Sequence, residues 1–268
     1  MMLAVYAVVN GNTTGWTSAP TVSLLGLAVI LFILFLFIES RVARPLVPLA
    51  LFRIRNVATA NVIAILWAAA MFAWFFLSAL YMQLILGYSP LKVGLAFLPS
   101  NLIMAAFSLG LSAKIVMRWG YRMPVVLGMF IVALGLLLFA RAPLDGTFLM
   151  HVLPPMLLLG LGAGIAFNPV LLSAMSDVSA EDSGLASGVV NTAFMMGGAL
   201  GLAILASLAA AQMMSQAAMG VSQLAAINSG YHVAFLGGAV LAGLAAVIAG
   251  FFLSAKPPAS HPTQAGMH

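Results

Sequence analysis

Long runs without a charged side chain alternate along this chain with short polar stretches, and the run lengths decide the secondary structure. Charge-free windows cover residues 21–38, 57–84, 93–113, 123–140, 148–175 and 183–255. The last is too long for one crossing, and its polar middle from Gln212 to Ser229 divides it in two. Seven stretches result, each near the roughly 20 residues that cross about 30 Å of hydrocarbon as a helix. A transmembrane barrel would show alternating segments of about ten residues instead. Backbone groups in lipid must bond within their own segment, so the pattern predicts an all-α, polytopic membrane bundle.

The first nine residues, Met1–Val9, are apolar but too short to span, and a polar loop, Asn10–Ser18, follows. A signal peptide would carry a basic start and a small-residue cleavage site. The segment reads instead as the last third of a helix, so the chain is expected to begin inside a longer protein.

Charge then gives orientation. If the chain starts outside, Arg41, Arg44, Arg53, Arg55, Lys114, Arg118, Arg122 and Lys256 fall in inner segments, and only Lys92 and Arg141 in outer ones. Eight against two is a positive-inside bias. It predicts a multi-pass protein of the cytoplasmic (inner) membrane with a cytoplasmic C-terminus, its tail 256–268 disordered. The composition agrees: 64% hydrophobic and 6% charged residues cannot coat a water-soluble globule, which carries about 25% charged residues. A net charge of +5 would hint at nucleic acid in a soluble protein. Here topology explains it, and the partner surface is the lipid bilayer. With no cysteine, disulfides, thiolate catalysis and cysteine metal sites are excluded.

The most informative string runs Tyr81-Met-Gln83-Leu-Ile-Leu-Gly87-Tyr88-Ser89-Pro90 and on through Gly94 to Leu98-Pro99. Gly87 to Pro90 predict a tight turn followed by a helix start. Pro99 then interrupts the next span, with Ser100 and Asn101 beside it. This string resembles the fourteen-helix drug:proton antiporter branch of the major facilitator superfamily. Gly15-Trp16-Thr-Ser18, the connector from Glu39 through Arg41, Arg44, Pro45 and Leu46 to Arg53, and the Gly184 to Gly201 segment match that branch in the same order. The resemblance runs from about residue 1 to residue 254.

The resemblance implies one six-helix half of a major facilitator fold with a preceding linker helix. Residues 1–19 would be a helix end and outer loop, 20–55 a linker helix and cytoplasmic connector, 56–255 the C-terminal six-helix bundle, and 256–268 the tail. The implied function is proton-coupled efflux of a lipophilic small molecule, together with an N-terminal six-helix half. The alternative is a truncated, non-transporting fragment or partner subunit. Lys114–Arg122 is similar to the superfamily's basic gating loop, where an acidic residue precedes the arginine; here Met117 stands in that place. Arg118, Gly120 and Arg122, with the breaks at Pro99 and Pro169, are gating candidates. They can equally be topology-setting cations and packing kinks.

Polar and adaptable side chains inside the spans are candidates for a substrate cavity: Asn61, Trp67, Met71, Trp74, Gln83, Asn101, Asn168 and Asn191. Polar groups in spans face the bundle interior, where they either join helices or line a cavity. Trp67, Met71 and Trp74 share a helix face by their spacing. Three Gly-x-x-x-Gly pairs, Gly160/Gly164, Gly184/Gly188 and Gly197/Gly201, predict close helix packing. Ser179 with Asp182 resembles a capping box. None of the five acidic residues lies within a span, so no proton site is evident; the resemblance places such carboxylates in the other half. No catalytic residue, cofactor or metal site is expected. Leu185-Ala-Ser187-Gly188 lacks the leading glycine of a rhomboid-type nucleophile, and neither His-Glu-x-x-His nor a Gly-Lys-Ser/Thr loop occurs.

Overall fold

The computed structural model describes residues 2–42, 49–179 and 181–254. Arg44, Pro45 and Leu46 of the connector, and the tail with Lys256, lie outside these. Among the described residues ten α-helices form, seven of the helical segments being long and apolar enough to span a membrane. The helices are α1 (Met2–Thr14), α2 (Ala19–Glu39), α3 (Arg55–Leu80), α4 (Pro90–Ala96), α5 (Leu98–Ala106), α6 (Ser112–Trp119), α7 (Arg122–Phe139), α8 (Leu153–Met175), α9 (Ser183–Ala218) and α10 (Gln223–Phe252). π-helical turns extend α3 over Tyr81–Ile85, join α5 to α6 over Phe107–Leu111, and precede α8 over Phe148–Val152.

Several boundaries differ from the sequence reading for local reasons. The helix of α1 continues past Val9 to Thr14, and the reversal is confined to Gly15–Ser18. Thr14, Ser18 and Thr21 close it through hydroxyl bonds of 2.9–3.0 Å, and Gly15 supplies a φ of 92°. Lys114 to Trp119 is not loop: α6 carries the basic residues to its end, and Gly120, at φ 70°, turns the chain into α7. Pro99 sits at the second residue of α5, near the middle of the span Pro90–Gly110, and the helical break falls two residues earlier at Phe97. Ser179 and Asp182 do pair, through Ser179 Oγ to the Asp182 carboxylate at 2.9 Å. The N-cap of α9 is nevertheless Asp182.

Helices α3 and α10 occupy the centre. Around them, α9 packs on α3, α7 and α9 pack on α10, α8 packs on α7, α5 and α3, and α1 lies on α9. The buried core runs through Trp67, Trp74 and Tyr81 of the second span to Met129 and Leu136 of α7, Met156 and Leu159 of α8, and Phe235 of α10. Small residues allow these approaches. Gly160 abuts the Ser100 backbone, Gly197 the Ile65 backbone, and Gly201 Ala69; helices in lipid associate through such contact rather than a hydrophobic drive. Gly184 and Gly188 break the expectation, because nothing lies within 4 Å of the space a β-carbon would fill. Helix α2 packs chiefly on α1 and buries only Thr21 and Glu39. An apolar surface exposed all round is what lipid covers.

Polar ties mark the two ends of the bundle. At the end rich in arginine, Asn56 reaches Asp177 and Ser254. At the opposite end, the carbonyl of Ala142 accepts from Asn228 Nδ2 (3.0 Å) and His232 Nε2 (2.7 Å), and Tyr81 donates its hydroxyl to Pro143 O (2.7 Å). A carbonyl can only accept, so Nε2 of His232 carries the proton.

Candidate functional site

Helices α3 and α9 run parallel and touch where Gly197 and Gly201 sit against Ile65 and Ala69. Toward the basic end nothing fills the space beside Gly184 and Gly188, and a cleft of about 440 Å³ opens between α3, α8 and α9. Ala64 and Trp67 form one wall, Phe167, Val170 and Leu171 a second, and Ser187, Asn191, Phe194 and Met195 the principal part of the third. Its size falls in the range of small-molecule pockets, about 300–1,000 Å³.

Three rings meet there edge to face. Trp67 lies 5.7 Å from Phe167 and 5.4 Å from Phe194, with planes at 71° and 73°. Phe167 and Phe194 are 6.4 Å apart at 87°. Such pairs favour each other by about 0.5–1.5 kcal/mol beyond their area, so the rings are pre-arranged. Trp67 is 1% exposed, and its Nε1 has no hydrogen-bond partner among the described residues. Asn191, Ser187 and Trp67 supply the side-chain hydrogen-bonding groups of the lining, and no charged residue among the described residues contributes. Such a cleft suits flat, uncharged apolar groups, because an unpaired ion there would lose its hydration without a counter-charge. A second groove, of about 570 Å³, is bounded by Ile103, Phe107, Pro154, Leu157, Leu158 and Leu161 alone. It has nothing to orient a ligand.

Of the residues singled out from sequence, Trp67 and Asn191 share the cleft; the others lie elsewhere. Asn61 is buried and donates to Val57 O of its own helix at 2.8 Å. Met71 packs against the core from a half-buried position. Trp74 lies tilted at 36° against Phe75 and meets Phe97 edge to face. Gln83 is half-buried in a π-turn, and Asn101 is exposed. Asn168 donates to Ser108 O at 2.6 Å, tying α8 to the π-turn between α5 and α6. Phe167 and Phe194 were not singled out, although each lies within three residues of one that was. Only the packing of α8 beside α9 turns them toward Trp67.

Among the gating candidates, Pro169 is buried inside α8, where it removes the bond to the carbonyl four residues earlier. Pro99 is half-buried, Arg118 exposed, Gly120 buried and Arg122 half-buried. Met117 is 73% exposed and carries no charge to pair with Arg118. Tyr121 is buried beside α8's end, and burial, then the charge of Asp177, push its phenol above the ordinary value.

The sequence profile described as Major Facilitator Superfamily matches residues 2–202. The chain is 31% identical to the puromycin resistance protein pur8 of Streptomyces alboniger over 271 residues, covering 98% of this chain and 53% of that protein. It is 33% identical to the multidrug resistance protein Stp of Mycobacterium tuberculosis over 207 residues (77% and 38%). It is 34% identical to the cephamycin export protein CmcT of Amycolatopsis lactamdurans over 193 residues (71% and 40%). The chain thus spans about half the length, or less, of the curated relatives it matches.

Proposed function

The chain belongs to the Major Facilitator Superfamily, and from that premise we propose that it is the C-terminal half of a fourteen-helix, proton-coupled exporter of lipophilic small molecules. The observation that carries this reading is the uncharged aromatic cleft of α3, α8 and α9. It supplies a substrate wall of the kind that relatives named for puromycin resistance and cephamycin export would need. In this reading α1 and α2 are the linker region within 1–55, α3 to α10 are the six-helix bundle within 56–255, and 256–268 is a tail.

The open faces at Gly184, Gly188 and Asn101 would meet an N-terminal six-helix half, closing the cleft into a central cavity. Halves of this kind rock as rigid bodies around a site near the bilayer midplane. The basic end would be cytoplasmic in the inner membrane, with the C-terminus on the same side. Coupling to protons needs a titratable group at membrane depth, and the acidic residues here stand at helix ends or in connections. The coupling carboxylate is therefore assigned to the other half. Membership of the same family supports transport rather than catalysis.

Dye efflux tests the reading in two kinds of cell, one making these 268 residues alone and one carrying the whole gene locus. Uncoupler-sensitive efflux is expected only from the second. Proton-driven efflux by the chain alone would overturn the half-transporter reading, and no efflux from either would overturn export.

A further inference from the structure

Asn56, at the basic end of α3, is 3% exposed, and both polar atoms of its carboxamide are engaged. Its Nδ2 donates to the Asp177 carboxylate (Oδ2, 2.7 Å) and to Ser176 Oγ (3.2 Å). Its Oδ1 accepts from the backbone nitrogen of Ser254 at 3.0 Å. Ser176 and Asp177 directly follow α8, and Ser254 lies just past α10. One buried side chain therefore joins the ends of three helices. Beside it, Arg55 Nη2 donates to Phe251 O at 2.8 Å, which fastens α3 to α10 a second time.

Helix α8 reaches this clamp across Pro169. Proline removes a backbone bond and lets a helix bend, so residues 170–175 form a tip that Asp177 holds from its far end. Phe167 lies before the break, and Val170 and Leu171 after it; all three line the cleft. The position of the tip thus fixes the distance between α8 and α9 at the mouth. The clamp is also releasable from one side. Asp177 is exposed and passes into water at small cost, whereas Asn56 is buried and loses its partners.

We propose that Asn56 is a positioning residue which, through Asp177, holds the tip of α8 and so sets how far the α3–α8–α9 cleft stands open. The consequence for transport rests on the exporter reading above; the clamp itself does not. A hydrogen bond to a charged group weights the clamped state by about tenfold to a hundredfold.

The absence of cysteine makes single reporters clean. Ser187→Cys places a thiol in the cleft, and Ser40→Cys, at the end of α2, serves as a control. The purified 268-residue protein is reacted with a bulky maleimide, and the ratio of the two rates is read. Asn56→Leu and Asp177→Ala are each expected to raise that ratio about tenfold or more. Asp177→Asn keeps an oxygen acceptor for Asn56 Nδ2 without the charge, and should leave the ratio at least about threefold below that of Asp177→Ala. A general loss of stability would speed labelling at both positions.

Should Asn56→Leu fail to fold, the exposed Asp177→Ala and Asp177→Asn decide. An unchanged ratio in Asp177→Ala, or an Asp177→Asn ratio equal to that of Asp177→Ala, overturns the proposal. In the whole exporter the single variants should shift KM for a lipophilic dye more than maximal rate. A labelling effect without a KM effect leaves the clamp standing and removes the cleft as the substrate site.

Discussion

Two Gly-x-x-x-Gly pairs on the same helix are expected to respond to alanine with opposite signs. In α9, a β-carbon at Gly197 would meet the Cα and carbonyl of Ile65, and one at Gly201 would meet the Cα and Cβ of Ala69. These neighbours are backbone or β-carbon atoms, so no side-chain rotation relieves the overlap and α3 must shift. Overpacking of this kind costs about 1–3 kcal/mol, against a gain of about 0.5–1 kcal/mol from replacing glycine inside a helix. Gly197→Ala and Gly201→Ala should each destabilise the protein by about 0.5–2 kcal/mol. At Gly184 and Gly188 nothing lies within 4 Å, so only the gain remains. For a chain near this size each kcal/mol moves Tm by about 2–4 °C. Gly201→Ala should lower Tm by about 1–8 °C, and Gly188→Ala should raise it by about 1–4 °C. The assay is thermal unfolding of the detergent-purified protein by tryptophan fluorescence, for which buried Trp67 and Trp74 are reporters. Shifts of the same sign and size at both pairs would refute the packing argument.

Other outcomes are equally specific. Tyr81→Phe removes the bond to Pro143 O and should cost about 0.5–1.5 kcal/mol, with faster hydrogen exchange confined to the connection between α7 and α8. Trp67→Ala empties the aromatic junction with Phe167 and Phe194 and should cost about 3–5 kcal/mol. Trp67→Phe should cost much less by the same unfolding assay, because it also removes a buried N–H that has no partner among the described residues. Folding holds the Tyr121 phenol above its ordinary value, so the unfolded chain releases that proton first. Stability should therefore fall as pH rises above about 10. Tyr121→Phe should flatten that alkaline limb in a pH series of Tm values, and an unchanged limb would remove Tyr121 as its source.

Much of the architecture is legible in the sequence because the membrane imposes a length scale. Hydrocarbon thickness sets the run length, so the spans were found to within a few residues, including the division of 183–255 at the turn after Met219. What could not be read was facing. Glycine pairs in α9 look alike in sequence, yet one lies against α3 and the other faces open space. Asn168, a residue that could join helices or line a cavity, ties α8 to Ser108 in the π-turn at Phe107–Leu111.

The sequence by itself determined that this is a helical, lipid-embedded chain of seven spans. Charge scarcity and uninterrupted apolar runs admit no other way to satisfy the backbone. Only the tertiary structure decided which side chains share a site. Helix periodicity places Trp67, Met71 and Trp74 on one face, but which part of that face meets α8 and α9 depends on where small residues let helices approach. That is a pairwise steric fact between distant segments. It brings Trp67 to Phe167 and Phe194, sends Trp74 to Phe97, and gives Asn56, a residue with no motif around it, the ends of three helices to hold.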